Sequence, residues 1–191
     1  GKCNPKSSTG RLDIFCRAIT DFNSEYELIK KDYKGKIFLE ITSKTFNIIF
    51  SEGDKLNQLR LRNYKVKFIT DKQLKNINQS YSFLFDKNNS MQVPSIKNGI
   101  RIRADISSYN SFVAYKAKKN TRNLIFNKTY KYKPEDYWFK INETIDNSLK
   151  IEPNEFYLLK SKDKIRIPSN LAAEMIPYDT NVGEFRVHYA G

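Results

Sequence analysis

The chain has 191 residues and a formal net charge of +13, from 34 lysines and arginines against 21 acidic residues. This length is enough to bury the core of one or two domains. Aromatic residues make up 14% of the chain, which argues against disorder, and no apolar run approaches the ~20 residues of a membrane span. The two cysteines, Cys3 and Cys16, cannot form a disulfide framework, and a reducing cytoplasm fits them best.

The positive charge has two interpretations. Most of it is lysine, and lysine, asparagine and isoleucine, all abundant here, share A/T-rich codons. The charge can therefore reflect nucleotide bias and a solvated lysine-rich surface. Alternatively, it provides a field that favours polyanions such as nucleotides or nucleic acid.

Strand patterns dominate the chain. Residues 36–41 and 46–50 are almost continuously apolar, as in buried strands, and residues 51–54 predict a turn. Alternating apolar and charged residues, which predict strands with one solvated face, occur at 100–106, 164–167 and 185–189.

Helix signals are short by comparison. A capping box that begins at Thr70 predicts a helix ending near Asn78. Pro134 predicts the first turn of another helix, and residues 169–175 predict one more turn. The polar segment 86–97 predicts a loop or linker between two halves. Many short strands with few small helices predict an all-β fold, a barrel or jelly roll, rather than an α/β fold.

The sequence lacks the residues that several kinds of catalytic site require. His188 is the single histidine, so a Ser-His-Asp triad would have to use it. Cys3 and Cys16 lack the close spacing of a zinc knuckle, and neither a His-x-Glu nor a Cys-x-x-Cys motif occurs. A zinc site is therefore not expected, including the zinc-water site of base-flipping deaminases. The sequence also has no glycine-rich phosphate loop of the Walker or Rossmann kind.

One polar segment near the start of the chain has the components of a phosphate cradle. It offers a cation, three hydroxyl groups, a glycine and a bidentate guanidinium, contributed by Lys6, Ser7, Ser8, Thr9, Gly10 and Arg11. The alternative is a polar turn that follows a frayed terminus.

Glu40 is the second candidate, because it is a carboxylate within the apolar strand pattern 36–41. It lies either on a solvent-facing side of the strand or in a buried position with a function. Burial of a carboxyl group raises its pKa toward the range of a general base.

Together these segments resemble a known family. Lys6–Arg11 followed by Gly35–Glu40 is similar to the deoxycytidine triphosphate deaminases of the dUTPase-like superfamily, which carry a basic-Ser-Ser-x-x-Arg motif and then a Gly-x-φ-φ-Leu-Glu strand. Similarity to the long, two-repeat bacterial form of this enzyme extends over segments 53–59, 155–159, 165–168, 172–175 and 188–191.

The resemblance implies an all-β, dUTPase-like distorted jelly roll, or β-clip, in two repeats. Residues 1–85 would be the latter part of repeat one, 86–97 a linker and 98–191 the first part of repeat two. Since family members continue at both ends, the chain is expected to be a fragment.

The implied function is hydrolytic, zinc-independent deamination of dCTP to dUTP and ammonia in the cytoplasm. Glu40 would be the catalytic base, and Ser7 would help to hold the attacking water or the developing charge. Arg11 would keep Glu40 and the ring region oriented electrostatically. Lys6 and Ser8 would bind phosphates, with Mg²⁺ carried by the triphosphate. The nucleotide site would also include Thr9, Gly10, Phe38 and Leu39, with a backbone carbonyl near Thr20. Such sites lie between subunits or repeats, which implies a homo-oligomer.

Two departures from the family pattern accompany the resemblance. When the repeats are aligned, the cradle positions of the second repeat are occupied by Asp179, Thr180 and Gly183, so phosphate binding is not expected there. The family's aspartate before the Leu-Glu strand is replaced by Lys30, with Asp32 as a shifted alternative.

Two other functions remain open at this stage. A dUTP-hydrolysing or non-catalytic nucleotide-binding relative would keep the fold, and hydrolysis would need an aspartate near the α-phosphate, such as Asp13 or Asp21. A basic nucleic-acid-binding β domain would interleave aromatic residues with lysines, as at 115–119, although an ordinary solvated strand edge also explains that segment.

Overall fold

The computed structural model describes residues 1–61, 68–107, 112–142, 146 and 148–176. The predicted strand at 185–189 lies outside these residues, as do His188, Asp179, Thr180 and Gly183. The strands are β1 (Lys2–Pro5), β2 (Ile14–Thr20), β3 (Ile37–Ser43), β4 (Ile48–Ile49), β5 (Asn57–Arg60), β6 (Leu84–Phe85), β7 (Met91–Gln92), β8 (Ala114–Ala117), β9 (Leu124–Ile125), β10 (Trp138–Ile141), β11 (Tyr157–Leu159) and β12 (Lys164–Ile165). The helices are α1 (Ser7–Gly10), α2 (Asp71–Ser80) and α3 (Pro134–Tyr137), with a 3₁₀ segment at Phe126–Lys131. The prediction of an all-β fold with short helices is confirmed.

The chain forms two compact units, each built from separate stretches of sequence. The first includes Gly1–Val66 and Ala117–Phe139, and the second includes Lys67–Lys116 and Lys140–Glu184. Strands β8 and β10 each cross the boundary between the two units. The predicted linker, 86–97, falls inside the second unit, where it contains β7. The division into repeats at 1–85 and 98–191 concerns duplication of the sequence and stays a prediction.

The described residues of the first unit form three strand pairs. β2 and β3 pair antiparallel over seven residues, β1 pairs antiparallel with β5, and β4 pairs parallel with β9. β2 alternates as its sequence requires, since Ile14, Cys16, Ala18 and Thr20 are buried. Ile14 and Cys16 pack with Leu56 and Phe126 in the core of this unit.

Segment 36–41 was predicted to be a buried strand, and the prediction of burial is wrong. The segment is a strand, but every residue of β3 is exposed, and Phe38 is 48% exposed. In the described residues β3 pairs only with β2, so one edge of β3 and much of both faces remain uncovered. The second apolar segment, 46–50, forms only the short β4. Phe46 in this segment is buried, and its ring centroid lies 5.3 Å from that of Trp138.

The predicted turn at 51–54 is confirmed. The N–H of Asp54 donates to the Ser51 carbonyl at 3.1 Å, and the Asp54 carboxylate accepts from the N–H of Ser51 at 2.8 Å. Gly53 has φ of +87°, which a residue with a side chain rarely adopts.

The second unit contains a three-stranded arrangement of β12, β6 and β7, and β11 pairs antiparallel with β8. Helix α2 begins with the predicted capping box between Thr70 and Gln73 and extends to Ser80, two residues beyond the predicted end. The described residues include no helix long and apolar enough to cross a membrane.

One prediction in this part of the chain is wrong. Residues 100–106 form isolated bridges, Ile96 with Ile100 and Ala104 with Ser161, instead of a strand. The bridge between Ala104 and Ser161 is flanked by two backbone hydrogen bonds at 2.9 Å, from the N–H of Asp105 to the Lys160 carbonyl and from the N–H of Lys162 to the Arg103 carbonyl, and the pairing does not extend into a strand. Segment 169–175 begins with the predicted turn, in which the N–H of Leu171 donates to the Pro168 carbonyl at 2.9 Å.

Candidate active site

The predicted phosphate cradle forms a single helical turn, α1. The carbonyl of Lys6, just before the turn, accepts a hydrogen bond from the N–H of Thr9 at 2.9 Å. The N–H of Arg11 donates to the carbonyl of Ser7 at 2.9 Å, so these backbone groups satisfy one another. The side chains of Ser8 and Arg11 are exposed, whereas Lys6 and Ser7 are half-buried. These four side chains are therefore the accessible part of the segment.

Thr9 faces the protein interior. Its side chain is fully buried, and its hydroxyl donates to the Leu56 carbonyl at 2.8 Å. The same carbonyl accepts the N–H of Lys6 at 3.0 Å. Gly10 is also buried. These contacts fix the turn against the residue that precedes β5, so the Thr9 hydroxyl, predicted to bind nucleotide, is used by the fold.

Asp13 likewise makes hydrogen bonds that stabilise the fold. It is 8% exposed with φ of +55°. Its carbonyl accepts the N–H of Lys44 at 3.1 Å, and its carboxylate accepts the hydroxyl of Thr45 at 2.5 Å. Asp13 thus ties the end of the cradle segment to the chain that follows β3.

Glu40 lies on the solvent-exposed side of the β2–β3 ladder, directly opposite Arg17. Side chains alternate along a strand, so Phe38 shares the face of Glu40 and Leu39 lies on the other face. Of the two apolar residues predicted to line the nucleotide site, only Phe38 is therefore on the same side as the predicted base.

The cradle and the predicted base belong to one unit but do not touch through their charged groups. Helix α1 packs on β2, and β2 pairs with β3. Within the described residues of one copy, Arg11 and Glu40 make neither an ion pair nor a hydrogen bond with each other. The orienting effect of Arg11 on Glu40 stays a prediction.

The ends of the two ladder strands are held by a tyrosine. The hydroxyl of Tyr33 accepts the N–H of Asp21 at 3.2 Å and donates to the Lys36 carbonyl at 2.5 Å. Thr20, near which the resemblance places a substrate-contacting carbonyl, is buried opposite Ile37 in the ladder. The loop between β2 and β3 is therefore closed immediately beside that position.

Lys30 and Asp32, the two positions that depart from the family pattern, both lie at the surface. The Lys30 ammonium donates to the carbonyl of Phe22 at 3.2 Å. Asp32 has φ of +58° and pairs with Lys31 at 3.8 Å, with both side chains exposed. Exposed pairs of this kind contribute little to stability.

Sequence patterns did not single out Glu27, which has an unusual environment. Its Oε1 accepts the N–H of Ala18 at 3.0 Å, and its φ is +65°. Its Oε2 is buried, and neither it nor the buried amide nitrogen of Asn57 makes a well-formed hydrogen bond with the described residues. Burial raises the pKa of Glu27 above its usual value, against the opposing effects of Ala18, Asn57, Arg17 and Lys2. No periodicity marks this position, so only the three-dimensional contacts reveal it.

The buried thiols lie near Glu27. Burial raises the pKa of Cys3 and of Cys16, and the negative charge of Glu27 adds to both shifts. Over the described residues, no group of three or more histidine, cysteine, aspartate and glutamate side chains is arranged to hold a metal ion. A cavity of about 350 Å³ is lined by Gly1, Lys2 and residues 25–28, and none of the predicted site residues is among them.

Two family models together match the whole length of the chain apart from a short gap. Residues 1–65 match the 2′-deoxycytidine 5′-triphosphate deaminase N-terminal domain, and residues 70–191 match the C-terminal domain of the same enzyme. The resemblance found in the sequence is thus confirmed. The gap between the two matched domains lies at 66–69, whereas the predicted linker is 86–97.

A solved structure gives the same result. The chain is similar to the crystal structure of 2′-deoxycytidine 5′-triphosphate deaminase from Agrobacterium tumefaciens, with 32% identity and a TM-score of 0.87. The match covers 98% of this chain and 55% of that one, so the chain spans about half the length of that protein. This match confirms the predicted dUTPase-like all-β fold. A search of curated proteins found no match.

Proposed function

This chain belongs to the 2′-deoxycytidine 5′-triphosphate deaminase family, and we propose that it catalyses the hydrolytic deamination of dCTP to dUTP and ammonia. The observation that carries the proposal is the position of Glu40. It is an exposed carboxylate on a regular ladder, in the unit that also presents Ser7, Ser8 and Arg11 on the surface of the Ser-Ser-x-x-Arg turn.

In the proposed reaction, Glu40 removes a proton from a water molecule whose oxygen attacks C4 of the cytosine ring. The C4–N bond then breaks as Glu40 returns the proton to the leaving amine, which departs as ammonia. The second proton of the water moves from the C4 hydroxyl group to N3, which leaves the carbonyl at C4. Water and dCTP are thus converted to dUTP and ammonia without a net change at Glu40. The half-buried hydroxyl of Ser7 holds the water, and the guanidinium of Arg11 stabilises the negative charge that develops.

The triphosphate enters with its own Mg²⁺, which neutralises part of its charge. Lys6, Ser8 and Arg11 supply the phosphate contacts, since these side chains are accessible. Thr9 and Gly10 support the turn from inside, and their part in the site is limited to backbone geometry. Phe38, on the face of Glu40, packs against the base, and the carbonyl near Thr20 contacts the ring or the water.

We further propose that the complete site is assembled between copies or repeats in a cytoplasmic homo-oligomer. Arg11 and Glu40 do not pair within one described copy, although the mechanism requires both near the base. The exposed apolar residues of β3 supply a surface that association would cover. A site shared between copies would satisfy both observations.

The alternative functions have less support from the contacts. Hydrolysis of dUTP needs an aspartate free to reach the α-phosphate. Asp13 is buried with its carboxylate bonded to Thr45, which leaves the exposed Asp21 as the candidate for that role. Nucleic-acid binding through 115–119 needs free lysines, but Lys116 is 23% exposed and pairs with Glu152 and Glu155. Its charge is therefore neutralised within its own unit.

The test is ammonia release from dCTP, compared with CTP and dUTP, by the most active form of the protein, with or without natural flanking sequence. Glu40→Gln keeps the size and polarity of the side chain but cannot accept the proton. We expect turnover to fall by about 10²- to 10⁴-fold while dCTP still binds. Glu52→Gln, which removes an exposed glutamate from the turn at 51–54, is the matched control. Wild-type-like turnover by Glu40→Gln, or no ammonia from dCTP in any form of the protein, would refute the proposal.

A further inference from the structure

Arg17 and Glu40 occupy directly opposed positions in the β2–β3 ladder. The N–H and the C=O of Ala18, the next residue after Arg17, both bond to Glu27 at 3.0 Å, on the edge of β2 away from β3. Because antiparallel pairs alternate in their hydrogen bonding, the adjacent Arg17–Glu40 pair is the one whose backbones bond each other. Side chains of such a pair lie on one face with Cβ atoms about 5 Å apart.

The guanidinium of Arg17 is held at one side of this face. It lies over the ring of Tyr26 at 4.8 Å from the centroid. Tyr26 is kept in place by its neighbour Glu27, which holds the backbone of β2 through the two bonds to Ala18 and holds β1 through the N–H of Cys3 at 2.7 Å. The positive φ of Glu27 is maintained by these three bonds.

Glu40 therefore shares one face of the ladder with Arg17, whose guanidinium lies over Tyr26 and does not occupy the Glu40 carboxylate oxygens. Among the described residues, Glu40 makes no ion pair within 4 Å and no side-chain hydrogen bond. Its oxygens remain available to a water molecule. A charge that lies across the strand still orients the carboxylate, more strongly once bound substrate excludes water from this face.

We propose that Arg17 is a positioning residue for Glu40, held in place by the ring of Tyr26 and the clamp of Glu27 on β2. This inference rests on the proposed deamination, because it assigns Arg17 an action on the catalytic base. The charge of Arg17 limits the directions in which the Glu40 carboxylate points, so that one oxygen faces the attacking water. The role is distinct from that of Arg11, which lies on the phosphate turn.

A double-mutant cycle tests this role, with ammonia release measured at enzyme concentrations that register residual turnover. We expect Arg17→Gln to lower kcat for dCTP by about tenfold and to leave KM within about twofold. In the Glu40→Gln background the same change should have no further effect, because the group on which Arg17 acts is gone. Arg122→Gln, which removes an exposed arginine of the same unit, is the control and should leave kcat unchanged.

Tyr26 provides a second, milder test. Tyr26→Phe keeps the aromatic face under the Arg17 guanidinium and should retain kcat. Tyr26→Leu removes the aromatic face and should lower kcat when Glu40 is present, but not in the Glu40→Gln variant. If Arg17→Gln does not fold, Arg17→Lys, which keeps the charge but not the planar stacking, takes its place with a smaller expected loss of kcat.

Two results would overturn the inference. One is an equal loss from Arg17→Gln in the wild-type and Glu40→Gln backgrounds, and the other is a rise in KM with unchanged kcat, which would make Arg17 a substrate-binding group. Neither result bears on deamination itself. Failure of the proposed function would appear instead as the absence of ammonia release by the wild-type protein.

Discussion

The hydroxyl of Thr9 and the carbonyl of Leu56 form a buried hydrogen bond at 2.8 Å in the middle of a segment that otherwise presents polar groups to solvent. The neighbouring hydroxyl groups of Ser8 and Thr9 thus have different roles. Ser8 is exposed and available to a ligand, whereas Thr9 stabilises the turn that displays it.

The first prediction separates these two hydroxyl groups. Thr9→Val keeps the shape of the side chain but removes the donor, and we expect it to lower the free energy of unfolding by about 1–2 kcal/mol. The Leu56 carbonyl keeps its bond from Lys6, which limits the loss. Ser8→Ala should leave stability unchanged and weaken dCTP binding. Chemical denaturation and dCTP titration measure the two effects, and equal destabilisation by both variants would contradict the assignment.

The second prediction concerns the separation of Arg11 from Glu40. Arg11→Ala should weaken triphosphate binding more than Ser8→Ala, because a charged bidentate contact is lost. If the site is shared between copies, mixing Arg11→Ala with Glu40→Gln under conditions that exchange subunits should restore part of the turnover that each lacks alone. A mixture of Arg11→Ala with the double variant should remain inactive. Failure of the first mixture to recover activity, with exchange verified, would place both residues in one copy.

The third prediction is a dependence of stability on pH that originates at Glu27. Burial raises the pKa of this carboxyl, so the folded state favours its protonated form. Its contribution to stability is therefore fully present below the unfolded pKa and is lost as pH rises through the higher folded pKa. Glu27→Gln retains an oxygen acceptor for Ala18 and cannot ionise. We expect this variant to lose less stability than the wild type over the range of pH above the ordinary glutamate pKa of 4.5.

Thermal unfolding at a series of pH values in that range measures the difference between the two proteins. Glu25→Gln, which alters an exposed glutamate of the same loop, is the control. Parallel curves for Glu27→Gln and wild type would show that Glu27 does not titrate in this range.

The fourth prediction concerns metal. The sequence has one histidine and no paired cysteines, so deamination should persist in the presence of zinc chelators that spare Mg²⁺. Metal analysis of the purified protein together with ammonia release after chelation measures this. Stoichiometric zinc, with activity that disappears on its removal and returns on its addition, would overturn the zinc-independent mechanism.

The features that the sequence predicts correctly are those set by residues close to one another in the chain. The capping box at Thr70 and the turn at 51–54 depend on groups within a few residues of one another, and both were predicted correctly. The burial of β3 was predicted incorrectly, because an apolar strand pattern does not reveal whether another layer of the fold covers it. Burial depends on contacts distant in sequence.

The candidate site shows the same limit. The accessible residues Ser7, Ser8 and Arg11 were predicted from their chemistry, but the inward direction of Thr9 depends on Leu56, 47 residues away in sequence. The clamp formed by Glu27 likewise depends on a left-handed backbone conformation that no pattern in the sequence indicates.

The last prediction concerns the uncovered surface of β3. Ile37, Phe38, Leu39 and Ile41 are each 40–48% exposed. In the described part of the chain β3 pairs only with β2, and an unpaired strand edge can accept another strand. We therefore expect the chain to self-associate with increasing concentration. A lysine on this strand disfavours burial and edge pairing, so Ile41→Lys should shift sedimentation-velocity profiles toward the monomer and reduce ammonia release in parallel. Val93→Lys, at a residue 94% exposed in the other unit, makes the same chemical change away from β3 and should alter neither. Unchanged association of Ile41→Lys, with its folding verified by circular dichroism, would show that β3 is not the associating surface.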